Sequence, residues 1–108
     1  MRFYISGAIS RYRGRYDEIE RQFGIIDDIL TSRGFEVANP WKLAPYDLNK
    51  TWLDYMIILI PELLKSDVVV LRRDWILSRG ARREFINAVL FNKEIVFERS
   101  IYRLGGLH

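Results

Sequence analysis

Glu84 is the residue whose type and position point most directly to chemistry. It lies in the stretch Asp74-Trp-Ile-Leu-Ser78-Arg-Gly80-Ala81-Arg-Arg-Glu84, just after the apolar run Asp67-Val-Val-Val-Leu71. Ser78 can N-cap a helix running to about Asn92, whose apolar stripe is Ala81, Phe85, Ala88 and Val89. Glu84 falls within one turn of both Ala81 and Ala88, on the face that should turn inward. A carboxylate there can act as nucleophile or general base: partial burial raises its pKa, and the helix N-terminus offsets part of that rise. The alternative is a glutamate paired with Arg79, Arg82 or Arg83 at the rim of the stripe.

Other residues could surround a ligand at the same place. Ser78 and Gly80 at the helix start can present a hydroxyl and backbone N–H groups to an anion such as a phosphate, or serve as an ordinary cap. Ser6, Gly7, Ser10 and Arg11 could form the opposing wall, with the glycine permitting close backbone approach, or be a plain strand-to-helix turn. The phosphate-binding Gly-x-x-x-x-Gly-Lys-Ser/Thr pattern is absent. Tyr4, Trp41, Tyr46, Trp52, Tyr55 and Trp75 offer flat surfaces for a nucleobase, or fill the core and subunit contacts. Asp54 reads as a helix cap, and Asp67, at the leading end of its strand, lies on the wrong edge of the sheet for catalysis.

Composition narrows the chemistry further. The 108 residues make one domain with one core, and 49% hydrophobic with 29% charged residues is a globular balance. There is no cysteine, and the only histidine is His108. Disulfides, thiolate metal sites and histidine-based triads are therefore not expected, and no cofactor is called for. A net charge of +3 favours anionic partners, with arginines gathered at Arg11, Arg13 and Arg15 and again at Arg72, Arg73, Arg79, Arg82 and Arg83. No recognised nucleic-acid motif accompanies them. The start lacks the features of a signal peptide, and the longest apolar run, Met56 to Ile60, is far below the roughly 20 residues that span a bilayer. A cytoplasmic location without membrane contact is expected.

The elements that must position these residues alternate. Arg2–Ser6 reads as a strand. Ile19, Phe23, Ile26 and Leu30 mark a helix from about Tyr16 to Ser32, ended by Gly34. Phe35–Ala38 is a second strand stopped by Asn39-Pro40, followed by a loop to Lys50. Thr51 and Asp54 form a capping box for a helix reaching Lys65, with a kink or restart expected at Pro61. Asp67–Leu71, a helix over Arg79–Asn92 and the strand Glu94–Glu98 follow, and Arg99–His108 is a tail with no clear element. Such alternation predicts a flavodoxin-like three-layer α/β domain with a parallel sheet of four to five strands in the order 2-1-3-4. Its ligand crevice opens at the carboxyl ends of strands 1 and 3, beside Ser6, Leu71 and the helix bearing Glu84.

Several short motifs then carry a family resemblance: Tyr4-Ile-Ser-Gly7, Asn39-Pro40, Trp52-x-x-Tyr55-Met56, Ser66-Asp67-Val-Val, and above all Asp74-Trp75-x-x-Ser78-x-Gly80-Ala81-x-x-Glu84. Over nearly its whole length the chain resembles the nucleoside 2-deoxyribosyltransferase-like superfamily, most closely a short bacterial and phage branch. From Asp67 to Lys93 it is also similar to 2′-deoxynucleoside 5′-phosphate N-hydrolases. The resemblance implies cleavage of the N-glycosidic bond of a deoxynucleoside, with Glu84 as nucleophile, Tyr4 orienting it and Ser78 contacting a 5′-phosphate. It also implies a homo-oligomer whose sites are completed by a neighbouring subunit, with helix-2 aromatics and the Gly105-Gly106 tail as candidate contacts. Two departures stand out. Active members carry an aspartate eight residues before the one opening strand 3, and that position here is Leu59. The hydrolase loop Gly-Ser-Ile-Arg reads Gly7-Ala8-Ile9-Ser10, with Arg11 displaced by one. Asp74 could supply a carboxylate from the other loop. Three readings follow: a transferase or hydrolase acting on a 2′-deoxynucleoside or its 5′-monophosphate, a non-catalytic nucleotide-binding protein, and a basic nucleic-acid-binding module.

Overall fold

The computed structural model describes residues 1–8, 16–44, 47 and 49–106. Four strands, β1 (Arg2–Ser6), β2 (Glu36–Ala38), β3 (Val68–Leu71) and β4 (Glu94–Phe97), form one parallel sheet in the order β2-β1-β3-β4. The two central strands are the most apolar. Val68–Leu71 is buried throughout, as parallel strands covered on both faces must be. Tyr4 pairs with Val69 and Ser6 with Leu71, so the carboxyl ends of β1 and β3 finish level with each other.

Strand alternation divides the core between two helical layers. Phe3, Ile5, Val68 and Val70 pack with Ile19, Phe23, Ile26 and Leu30 of α1 (Tyr16–Ser32) and with Ile101 of α5 (Glu98–Leu104). Tyr4, Val69 and Leu71 pack on the other side against Met56, Leu59 and Leu63 of α3 (Trp52–Leu64) and Ala88 of α4 (Arg79–Leu90). This is the flavodoxin-like arrangement expected from the alternation of elements, with four strands. Among the described residues no helix is long and apolar enough to cross a membrane.

Local signals act largely as read. Gly34, at φ 85°, ends α1, and the N–H groups of Gly34 and Phe35 bond back to Thr31 and Leu30. Thr51 and Asp54 satisfy both arms of the capping box at the start of α3. Of the kink or restart expected at Pro61, the restart does not occur, since α3 runs through it to Leu64. Two further expectations are corrected. The loop after β2 contains a one-turn helix, α2 (Pro40–Leu43), because the Asn39 side chain accepts from Trp41 N and proline suits the first helical position. The chain after β4 forms α5, where Ile101 and the half-buried Tyr102 pack with the α1 side of the core. Two apolar anchors in a seven-residue helix leave too little periodicity to read.

Candidate active site

Residues 4 and 6 of a strand share a face, and on β1 that face looks toward α3 and α4. Opposite them, the chain leaves β3, makes a short 3-10 turn over Trp75–Leu77, and starts α4 at Ser78, whose Oγ accepts from Ala81 N at 3.1 Å. Glu84 follows in the second turn and points back at the strand. Its Oε2 accepts from the Tyr4 hydroxyl and its Oε1 from Ser6 Oγ at 2.8 Å. Tyr4 and Ser6 are fully buried and Glu84 is 3% exposed.

The alternative pairing with an arginine of α4 does not form. Arg79 lies over the Trp52 ring at 3.9 Å, Arg82 donates to the Ile76 carbonyl, and Arg83 is exposed. The apolar stripe on α4 is also narrower than its spacing suggested, since Val89 is exposed.

Burial sets the electrostatics of this cluster. Desolvation pushes the Glu84 carboxyl up to about 7, and the hydrogen bonds from Tyr4 and Ser6 pull the other way without cancelling it. The Tyr4 phenol lies well above its ordinary value, chiefly through burial and then through the charge of Glu84 and the bond to it. Near neutral pH the phenol is therefore a fixed donor, while the carboxyl is divided between its two forms. A carboxylate with both oxygens held and a pKa near 7 can act as nucleophile or as general base.

The remaining sequence candidates are placed differently. Ser78 is half-buried and engaged as the helix cap. A side chain on Gly80 would stand 3.2 Å from Met56 Cε and 3.5 Å from Trp52 Nε1, so this glycine brings α3 and α4 together. The close approach at Gly7 is also made by protein: a Cβ there would meet Arg72 Cβ at 2.7 Å. Asp74 stands outside the Glu84 cluster. Its Oδ1 accepts from Ala8 N at 3.2 Å and its Oδ2 lies 3.9 Å from Arg72 Nη1. Trp75 packs against Phe85 with ring centroids 4.7 Å apart. Trp41 belongs to the core and Tyr55 is tied to Asp47, whereas Tyr46, Ser10 and Arg11 lie outside the described residues. Leu59 is buried in the core against α3's neighbours.

Sequence reasoning missed the buried arginine where β3 ends. Arg72, grouped there with Arg73, Arg79, Arg82 and Arg83, is 4% exposed. Its Nε lies 3.5 Å from Glu98 Oε1, its Nη2 donates to Gln22, and its guanidinium sits 4.9 Å from the Phe23 ring centre. Glu98 in turn accepts from Arg73 N at 2.9 Å and from the Tyr102 hydroxyl. The available signal was register: one step past the Ser6–Leu71 pair, a glycine faces an arginine. Among the described residues no group of three or more acidic, histidine or cysteine side chains is placed to hold a metal.

Over residues 1–97 the sequence matches DUF4406, a domain family of unknown function. The chain belongs to that family. The DUF4406 match takes in all four strands and Tyr4, Ser6, Arg72 and Glu84, and ends just before α5. No curated protein matches the chain.

Proposed function

We propose that this DUF4406 protein cleaves or transfers the N-glycosidic bond of a 2′-deoxynucleoside or its 5′-monophosphate, with Glu84 as nucleophile. The observation that carries this reading is the buried Glu84 carboxylate held on both oxygens by Tyr4 and Ser6 at the carboxyl end of the central strand. The motif likeness to nucleoside 2-deoxyribosyltransferase-like proteins supports the choice of substrate. The ionised carboxylate attacks the anomeric carbon as the bond to the base breaks. The base leaves with the electron pair and takes a proton from water. Water or a second base then displaces the carboxylate from the glycosyl-enzyme. Chromatography of bases released from deoxynucleosides and their monophosphates tests the reading, and turnover equal to that of a Glu84→Ala control would sink it.

Tyr4→Phe separates orientation from bulk. Loss of the phenol leaves one carboxylate oxygen without its donor, and that bond holds the Glu84 pKa down. The rising limb of the rate, set by ionisation of Glu84 near pH 7 in the wild type, is expected to move to higher pH. An unmoved limb would argue against Glu84 as the titrating group.

A second reading, a nucleotide-binding protein that does not cleave, is favoured by one observation. Leu59 fills the core where active relatives are expected to carry an acid, and Asp74 is committed to Ala8 and Arg72. Stabilisation by nucleotide in thermal melts without base release would select it. Self-association belongs to both readings, and Leu53 and Ile57 on α3 with Val89 and Leu90 on α4 are exposed apolar side chains that would serve it. Sedimentation as a monomer at micromolar concentration would rule it out.

A further inference from the structure

A concavity lies near the carboxyl end of the sheet, between the chain leaving β3 and α5. It is a groove of about 980 Å³, walled by Arg73, Trp75, Phe97, Arg99, Tyr102 and Arg103. None of Tyr4, Ser6, Ser78 or Glu84 borders it. We propose that this groove binds a nucleoside 5′-phosphate, the arginines taking the phosphate and the aromatic rings taking the base.

Charge supports the phosphate half. Among the described residues Arg73, Arg99 and Arg103 have no carboxylate within ion-pair distance, although a carboxylate, Glu98, also lines the groove. That carboxylate is already committed to Arg72, to Arg73 N and to the Tyr102 hydroxyl. Three guanidinium groups are thus left facing one cavity without a counter-charge. Arg99 and Arg103 are four residues apart on α5, where like charges repel, and a bound phosphate would relieve the repulsion. Planar forked donors match phosphate oxygens better than a point charge does.

Shape supports the base half. Phe97 is 56% exposed at the end of an edge strand, so its ring is open to a ligand in the groove. Trp75 is half-buried, one neighbour being the Phe85 ring, and Tyr102 has its hydroxyl fixed on Glu98. Aromatic rings beside unpaired guanidinium groups form the surface on which a nucleobase stacks while its phosphate is held. The volume is that of a small-molecule site. This site is independent of the proposed catalysis at Glu84.

Titration of 15N-labelled protein with 2′-deoxyadenosine 5′-monophosphate tests it, with released adenine followed in the same samples. Saturable shifts are expected at Arg73, the Trp75 indole and residues 97–103, and binding should weaken at least tenfold in Arg99→Ala/Arg103→Ala. Arg83→Ala, an exposed arginine elsewhere, should bind as the wild type does. Deoxyadenosine alone and inorganic phosphate alone should each bind more weakly than the nucleotide. Absence of saturable shifts at these residues, or equal affinity in the double variant with an unchanged melting temperature, would overturn the proposal. Shifts confined to the surroundings of Tyr4, Ser78 and Glu84 would overturn it too, while leaving the glycosidic reading standing. Groove binding without adenine release would leave the groove standing and count against that reading.

Discussion

Glu84→Gln is expected to abolish the proposed base release and, at pH 8, to make the protein harder to unfold. The first effect follows from loss of the nucleophile, for which a fall of at least about 10³-fold is the expected scale. The second follows from linkage. Glu84 has a pKa of about 7 in the folded protein against 4.5 for the ordinary group. The folded state therefore binds this proton more tightly than the unfolded chain. Between those two values unfolding releases a proton, so stability falls as pH rises, and above about 7 the whole loss, of order 3 kcal/mol, is present. Below 4.5 both states are protonated and the contribution vanishes. Glutamine carries no charge at any of these pH values, and its amide can still meet the Tyr4 and Ser6 hydroxyls. A gain of about 1–3 kcal/mol at pH 8 and none at pH 4 is expected, seen as a melting temperature raised by several degrees only at the higher pH. A variant less stable than wild type at pH 8 would contradict a desolvated carboxylate at this position. Stability lost at one buried titratable residue is a common mark of a site built for chemistry.

Much of this site was legible because periodicity and topology converge on it. The valine run of β3, the Ser78 cap and the helical spacing of Ala81 and Ala88 place Glu84 inward. Alternation of strands and helices brings that helix start beside the end of β1. Tyr4 and Ser6 share a strand face by the two-residue repeat alone. What pairs with a side chain across 78 or 80 residues of chain is not encoded in any local pattern, and there the expectations diverged. Glu84 could be read as partner of a nearby arginine, whereas distant hydroxyls hold it. Gly7 could be read as room for a ligand, whereas it is room for Arg72. The arginines of the 72–83 region look alike in sequence, and only the third dimension distinguishes the one that is buried. Helix α5 was missed for a related reason: its fixed points, Glu98, Ile101 and Tyr102, are chosen by Arg72 and α1 rather than by their own spacing.

Arg72→Ala is expected to destabilise the fold by about 3 kcal/mol. Arg72 lies at the turn where β3 ends, its N–H bonded to the Ser6 carbonyl and its side chain crossing Gly7. The guanidinium stands beside two carboxylates, that of Glu98 with 7% of its side chain exposed and that of Asp74 with 12%. Removing it leaves Glu98 buried without its guanidinium partner, with Arg73 N and the Tyr102 hydroxyl as its remaining donors. Arg72→Met/Glu98→Gln removes both charges and should recover a large part of the loss, since well-packed neutral pairs can replace a buried ion pair. Equal destabilisation by the single and double variants would show that Arg72 acts through packing on Phe23 and Gly7 and not through charge. The same residue links the chain just after β1 to the turn after β3, because Asp74 both faces Arg72 and accepts from Ala8 N. A milder replacement, Arg72→Lys, keeps the charge but not the fork that reaches Glu98 and Gln22 together. It is expected to weaken substrate binding through the loop after β1, raising KM, while leaving the Tyr4–Ser6–Glu84 cluster and the pH dependence of kcat in place. A shifted pH profile in Arg72→Lys would instead tie the buried arginine to the ionisation of Glu84 itself.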